Sequence, residues 1–98
     1  MKVLIIGSGG REHAIAKKML ESPQVTEVFC AKGNPGMKKD GIQLVEIAED
    51  NHEALISFAK EQMIAWTFVG PEIPLLNGIV DDFERAGLKI FGPNKAAA

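Results

Sequence analysis

The feature that most constrains this chain is a short apolar segment that runs directly into a glycine-rich turn, at Ile5–Gly10. Three of the four residues in Gly7–Gly10, which we call the glycine turn, have no Cβ, so the backbone there is free to approach a ligand closely. A helix that begins after the turn offers unpaired N–H groups and the positive end of its dipole to an anion. The junction therefore predicts a buried strand, a turn that binds phosphate or a nucleotide, and a helix.

The glycine turn departs from the dinucleotide fingerprint G-x-G-x-x-G, because Glu12 stands where the third glycine would be. A nicotinamide site also needs an acidic residue after the second strand to hold the ribose hydroxyls, and Lys32 stands there instead. The sequence contains no P-loop motif either, so it lacks a known means of transferring a phosphate from a nucleoside triphosphate on its own. The turn favours an anionic ligand and argues against NAD.

Composition excludes several classes of function. The 98 residues, 46% of them hydrophobic, predict one small domain with a single core. A net charge of −2 gives no polycationic surface for nucleic acid and no basic amphipathic stretch for a membrane. No signal peptide is visible, and the single cysteine, Cys30, has no internal disulfide partner, so we expect a cytoplasmic protein with Cys30 in its core.

The sequence shows neither a metal site nor a catalytic set. His13 and His52 have no second ligand at metal-binding spacing, so we predict no metal ligand and assign His52 to a solvated helix start. No nucleophile, base and acid occur as a recognisable group, so we predict no catalytic residue. For His13, beside the glycine turn, the sequence leaves open ligand contact and a structural role in packing or capping.

Apolar periodicity predicts an α/β fold. Strands are predicted at Lys2–Ile6, Val25–Ala31, Gln43–Ile47, Trp66–Val69 and Leu88–Phe91. The first helix is predicted at Arg11–Leu20, and a loop at Lys32–Gly41. A second helix is predicted to follow a capping box formed by Asp50 and Glu53. A third is predicted to begin at Pro74 and to stop at Gly87. The pair Asn77-Gly78 is typical of a hairpin, but an apolar helical stripe passes through it and favours a helix. Right-handed crossovers then predict an open, parallel, Rossmann-like sheet in the order 3-2-1-4-5, with helices on both faces.

Parallel strands end at one edge of a sheet, so the loops that follow them converge there. Two strands leave through a Gly-Pro pair, Gly70-Pro71 and Gly92-Pro93, in which proline fixes φ and aims the next residue. Glu72 is thereby placed to accept hydrogen bonds from ribose hydroxyls or an amine, or else to cap the next helix. Arg11 is expected to bind an anion, because the helix dipole repels a lone guanidinium at a helix start. Glu12 has two readings, helix stabilisation and ligand contact.

Four ordered segments carry a resemblance to a known family. They are Gly7–Ala14 after its strand, Ala31–Gly36, Val69–Leu75 and Lys89–Ala97. In this order and spacing the chain resembles, over its whole length, the start of the phosphoribosylamine–glycine ligases, which are ATP-grasp enzymes. Members commonly carry an acidic residue and smaller aliphatic side chains where this chain has Trp66-Thr67-Phe68.

The resemblance implies a ligase of de novo purine biosynthesis that joins glycine to 5-phosphoribosylamine with ATP, through a glycyl phosphate. It implies a Rossmann-like substrate domain at residues 1–93, the domain that precedes an ATP-grasp portion, and a lead into that portion at 94–98. ATP and magnesium or manganese would be bound mainly by later domains, so we expect the chain to be an inactive fragment whose partners are the substrate and those domains. The residues implied to line the sugar-phosphate side are Gly7, Ser8, Gly9, Gly10, Arg11, Glu12, Asn34, Gly36, Glu72, Gly92 and Pro93.

Two other functions stay open on the sequence alone. One is the first domain of a different ATP-grasp ligase, although such relatives usually differ from Arg11-Glu12-His13 in this turn. The other is a stand-alone nucleotide-sensing module, which would need the acidic residue that Lys32 replaces.

Overall fold

The computed structural model describes residues 1–7, 9–48, 50–70 and 75–91, with the side chains of 75–77 excepted. Strands and helices alternate along the chain in the described part. The strands are β1 (Lys2–Gly7), β2 (Glu27–Lys32), β3 (Gln43–Val45), β4 (Ile64–Val69) and β5 (Ile90–Phe91). The helices are α1 (Gly10–Leu20), α2 (Pro35–Lys39), α3 (His52–Glu61) and α4 (Leu75–Arg85).

The five strands form one parallel sheet in the order β3-β2-β1-β4-β5, which confirms the predicted fold class and strand order. The central strand β1 pairs with β2 from Lys2 to Gly7 and with β4 from Lys2 to Ile6. A register shift falls between Lys2 and Val3 on the β4 side. Because β1 is paired on both sides and holds the centre, the turn that follows it lies at the middle of the carboxyl edge.

Helices cover both faces of the sheet, and each face has its own apolar cluster. Leu55 of α3 and Phe83 of α4 are fully buried on one face, while Ala16 of α1 and Met37 of α2 are fully buried on the other. The residues Val3–Ile6 of β1 contribute alternately to the two clusters. This explains why the strand reads as a continuous apolar run rather than an alternating one. No helix in the described part is long and apolar enough to span a membrane.

The predicted loop at Lys32–Gly41 is wrong in part, because it contains the short helix α2. Asn34 is its N-cap, and the side-chain Oδ1 of Asn34 accepts a hydrogen bond from the backbone N–H of Met37 at 3.2 Å. Pro35 occupies the first helical position, where its missing N–H costs nothing. A helix of five residues is too short to show an apolar periodicity, so the sequence pattern missed it.

The start of α3 is also one residue from the prediction. The cap is Asn51, whose Oδ1 accepts from the N–H of Ala54 at 3.2 Å, rather than Asp50 with Glu53. Asn and Asp are nearly equal as N-caps, so the sequence does not decide which of the two adjacent residues begins the helix. The prediction that a helix passes through Asn77-Gly78 is confirmed by α4, while its predicted first-turn proline, Pro74, lies outside the described residues.

A residue with a left-handed backbone conformation follows both α3 and α4, but it is a glycine only after α4. Gly87 after α4 has φ +81°, and its N–H donates to the carbonyl of Glu84 at 3.0 Å, as the predicted stop requires. Met63 after α3 has φ +56°, and its N–H donates to the carbonyl of Lys60 at 3.3 Å. The Met63 residue is 83% exposed, so it holds a strained backbone without a compensating core contact.

We therefore predict that Met63→Gly raises the free energy of unfolding by about 0.5–1 kcal/mol, because relief of the left-handed strain exceeds the added entropy of the unfolded chain. The matched control is Gly87→Ala, whose added Cβ meets no atom within 4 Å and which should cost about 1 kcal/mol through φ alone. Urea unfolding followed by circular dichroism measures both. A Met63→Gly variant less stable than the wild type would contradict the strain argument.

Candidate functional site

Three strands end side by side at the carboxyl edge of the sheet: β1 ends at Gly7, and a glycine directly follows β2 and β4. The N–H of Gly33, after β2, donates to the carbonyl of Gly7 at 3.0 Å. The N–H of Gly70, after β4, donates to the carbonyl of Ile6 at 2.9 Å. These backbone bonds continue the sheet one step beyond β2 and β4, so Gly7, the start of the segment Gly33–Gly36 and the exit of β4 lie next to one another.

Glu12 folds back from the first turn of α1 into the glycine turn. Its side chain is only 8% exposed, and its Oε1 accepts the N–H of Gly9 at 2.9 Å. The other oxygen, Oε2, lies 3.1 Å from Nε of Arg11. Since a carboxylate in the first turn is also stabilised by the helix dipole, the helix stabilisation considered for Glu12 is present in the structure. Because Glu12 already accepts the N–H of Gly9, a phosphate at this turn would compete with Glu12 for that donor.

The Glu12 side chain fits only because the strand ends beside it are glycines. A Cβ on Gly7 would lie 2.4 Å from Cγ of Glu12, and a Cβ on Gly70 would lie 2.4 Å from the same atom. The φ of Gly70 lies outside the left-handed region, so this glycine is needed for space and not for backbone conformation. The sequence predicts a ligand at the glycine turn, and no local pattern in it points to the contact between Gly70 and Glu12.

Arg11 lies over the exit of β4. Its Nε donates to Glu12, and its guanidinium donates to the carbonyl oxygen of Gly70. The side chain is about half exposed. The anion that we expected between this guanidinium and the helix dipole is thus supplied, at least in part, by Glu12 itself. A direct contact between Arg11 and a ligand stays a prediction.

His13 connects α1 to α2, which favours the packing interpretation over ligand contact. Its Nε2 lies 2.6 Å from Oδ2 of Asp40, just after α2. Its Cε1 lies 3.3 Å from where a Cβ on Gly36 would stand, so the ring packs on the first turn of α2. Asn34 uses Oδ1 to cap α2, as described above, and the predicted roles of Asn34 and Gly36 toward a ligand are untested.

The structure brings Gly7, Gly9, Gly10, Arg11 and Glu12 together at the edge, with the Gly33–Gly36 segment beside them. The predicted site residues Ser8, Glu72, Gly92 and Pro93 lie outside the described residues. Within residues 1–7, 9–48, 50–70 and 75–91, no group of three or more His, Cys, Asp or Glu side chains is arranged to hold a metal ion.

The prediction of a solvated position for His52 is wrong. Its side chain is 15% exposed, and its Nδ1 lies 2.6 Å from Oδ2 of Asp82, so it joins the start of α3 to α4. Its Nε2 is buried, and in the described part of the chain it has no hydrogen-bond partner. The pairing spans 30 residues of sequence, so local charge pattern at the helix start gave no sign of it.

We predict that Gly70→Ala lowers the free energy of unfolding by about 2 kcal/mol, because the new methyl group overlaps Glu12. In a Glu12→Ala background the same change should cost at least about 1 kcal/mol less, since the atom that it meets is gone. Gly10→Ala is the control, because a Cβ there meets nothing within 4 Å. A double-mutant cycle by urea unfolding measures the coupling, and additive costs would show that Glu12 does not fill the space beside Gly70.

This chain is similar to known proteins over its whole length. Residues 1–98 match the family described as "Phosphoribosylglycinamide synthetase, N domain". The phosphoribosylamine–glycine ligase of Streptococcus suis is 66% identical over 98 residues, which make up 100% of this chain and 23% of that protein. The corresponding ligases of Lactococcus lactis subsp. lactis (strain IL1403) and Streptococcus pneumoniae (strain ATCC BAA-255 / R6) are 64% and 61% identical over 100% of this chain, and it covers 24% and 23% of their lengths.

The chain thus spans about a quarter of the length of the curated relatives it matches. Because the family match runs from the first residue to the last, this chain belongs to the phosphoribosylglycinamide synthetase N-domain family.

Proposed function

We propose that this chain is the N-terminal part of a phosphoribosylamine–glycine ligase and forms the sugar-phosphate side of its active cleft. The observation that carries the proposal is the meeting of three strands, each ending at or just before a glycine, at one sheet edge, with Arg11 and Glu12 held over them. The relatives over the whole chain are named for this reaction. The family match favours this ligase over a different ATP-grasp enzyme and over a stand-alone nucleotide sensor.

The proposed reaction belongs to the full-length enzyme and has two steps. A carboxylate oxygen of glycine attacks the γ-phosphorus of ATP, and the bond to ADP breaks to give glycyl phosphate. The amine of 5-phosphoribosylamine then attacks the carbonyl carbon, phosphate leaves, and the amine loses a proton as the amide of glycinamide ribonucleotide forms. In this scheme the present chain has no catalytic residue, and its task is to hold the amine-bearing sugar in place.

The chemistry of the edge suits a sugar phosphate better than a bare anion. The half-exposed guanidinium of Arg11 offers N–H donors to a phosphate, while Glu12 offers acceptors to hydroxyl groups. Since Glu12 already holds the N–H of Gly9, we infer that the phosphate is held by groups beyond that one donor. We propose the remaining predicted residues, Ser8, Asn34, Gly36, Glu72 and Gly92-Pro93, as further contacts.

ATP and its magnesium or manganese ion are proposed to bind mainly to other domains of the enzyme. The described acidic groups near the edge are already engaged, because Glu12 pairs with Arg11 and Asp40 pairs with His13. No described cluster fits a divalent ion. When bound elsewhere, the ion would neutralise the phosphates of ATP during transfer. We also propose residues 1–93 as the substrate domain, 94–98 as the lead into the ATP-grasp portion, and the cytoplasm as the location.

The first test compares the 98-residue chain with the full-length protein. With ATP, glycine and phosphoribosylamine, the full-length protein should release ADP and phosphate and form glycinamide ribonucleotide in equal amounts. The 98-residue chain should release neither, because it lacks the groups that bind ATP and the metal. Coupled measurement of ADP, with the product identified by mass spectrometry, checks both. ADP release by the purified 98-residue chain would contradict the proposal that other domains bind and cleave ATP. A full-length protein without ligase activity would overturn the proposed function.

The second test concerns Glu72, which lies outside the described residues. In the full-length enzyme, Glu72→Gln should lower kcat/KM for phosphoribosylamine about ten- to a hundredfold, since loss of a charged acceptor to a bound hydroxyl removes about 1.5–3 kcal/mol. The KM for ATP should stay near the wild-type value. Glu84→Gln, an equal charge change at an exposed position of α4, is the control. Unchanged kcat/KM for phosphoribosylamine would assign Glu72 to capping the next helix.

A further inference from the structure

His13 and Asp40 link α1 to α2, and the proposed function assigns no role to this link. Nε2 of His13 lies 2.6 Å from Oδ2 of Asp40, the C-cap residue of α2. The two side chains are only 24% and 34% exposed, so water shields the contact incompletely. The backbone N–H of His13 donates to the carbonyl of Gly9 at 3.0 Å. His13 is therefore fixed to the glycine turn at its backbone and to α2 at its side chain.

The ring of His13 also packs on the first turn of α2, at Gly36. A Cβ on Gly36 would lie 3.3 Å from Cε1 of His13 and 3.2 Å from Oδ1 of Asn34. The φ of Gly36 lies outside the left-handed region, so the backbone conformation does not require glycine there. Glycine inside a helix is less favourable than alanine. The space that the His13 ring and the Asn34 cap occupy explains why this helix carries a glycine in its first turn.

α2 needs such contacts because it is too short to be stable alone. A helix of five residues does not form in water without packing on the rest of a protein. Met37, in the middle of α2, is fully buried in the apolar cluster on this face of the sheet. His13 adds contacts on both sides of that point, at Gly36 and at Asp40. Contacts at both ends of the helix oppose a pivot about Met37, so they help to set the direction of α2 relative to α1.

We propose that His13 is a positioning residue for 5-phosphoribosylamine, which holds the segment from Asn34 to Gly36 in place beside the glycine turn. The inference rests on the proposed function, in which Asn34 and Gly36 contact the sugar phosphate. His13 acts through Gly36 and Asp40 and needs no contact of its own with the ligand. Because this chain is proposed to hold the sugar and not ATP, the loss of His13 should affect only the use of phosphoribosylamine.

Steady-state kinetics of the full-length enzyme test the proposal. We expect His13→Ala and Asp40→Ala each to raise the KM for phosphoribosylamine about five- to tenfold, because a site that is correctly arranged in only a tenth of the molecules binds about tenfold more weakly. The kcat and the KM for ATP should stay within about twofold of the wild type, since the lost binding is the same in the ground state and the transition state. The double variant should exceed His13→Ala by no more than about twofold, because both changes remove one contact.

One conservative variant and one matched control separate positioning from a general loss of stability. Asp40→Asn keeps an oxygen that accepts from His13, so its KM for phosphoribosylamine should stay within about threefold of the wild type. Asp82→Ala removes a second His–Asp contact of 2.6 Å, which joins α3 to α4 on the opposite face of the sheet. It should lower the urea midpoint of unfolding and leave the KM for phosphoribosylamine within about twofold of the wild type.

Amide hydrogen exchange measures how firmly α2 is held, and it needs no ligase activity. In the full-length protein, peptides that cover α2 should exchange about tenfold faster in His13→Ala and Asp40→Ala than in the wild type, because local opening of α2 becomes easier. Peptides that cover α3 should exchange at the wild-type rate in both variants. Mass spectrometry of peptic fragments gives the rates.

A raised KM for phosphoribosylamine together with faster exchange in α2, with both effects absent in Asp40→Asn, would support the proposal. Unchanged exchange in α2 would overturn it, and so would faster exchange with an unchanged KM, which would leave His13 a purely structural role. An equal rise in the KM for ATP, or in the KM of Asp82→Ala, would also overturn it. A full-length wild type without ligase activity refutes the proposed function itself, whereas an active wild type with an unaltered KM in His13→Ala refutes only the positioning role.

Discussion

The carboxylate of Glu12 is the interaction on which the arrangement of the sheet edge depends. A buried carboxylate is costly unless its oxygens are hydrogen-bonded and its charge is balanced. Gly9 supplies a backbone donor, Arg11 supplies a cation, and α1 supplies the positive end of its dipole. The side chain in turn takes the space that a methyl group would need at Gly7 and Gly70. One side chain therefore connects the ends of β1 and β4 to the start of α1.

Because of this interaction, the glycine turn of this chain differs from the phosphate-binding turn of the dinucleotide fingerprint. In the dinucleotide fingerprint the residue at the place of Glu12 is a glycine that lets helix and strand pack closely. Here that place carries a negative charge, which repels the phosphate that the other glycines would otherwise attract. Because Arg11 is held over the same carboxylate, the edge presents one cation and one anion side by side. The proposed sugar phosphate would meet this pair with a phosphate for the cation and hydroxyl groups for the anion.

Long-range order was easier to predict from this sequence than local detail. The strand order and the parallel pairing follow from alternation and handedness, and the stop at Gly87 follows from backbone conformation. α2 was missed because five residues carry no period, and the burial of His52 was missed because its partner, Asp82, is distant in sequence. Packing of Glu12 on Gly70 was missed for the same reason, since 58 residues separate them. The roles of Glu72 and Gly92-Pro93 rest on sequence alone.

β4 connects the candidate site to the rest of the sheet. Its last residues lead to Gly70, whose N–H is bonded to β1 and whose carbonyl accepts from Arg11, while Trp66 and Phe68 on the same strand pack against the apolar cluster of α1 and α2. β4 is held on both sides, because it pairs with β1 and with β5 through backbone hydrogen bonds. The position of Arg11 over the exit of β4 therefore depends on the pairing of this strand as well as on Glu12.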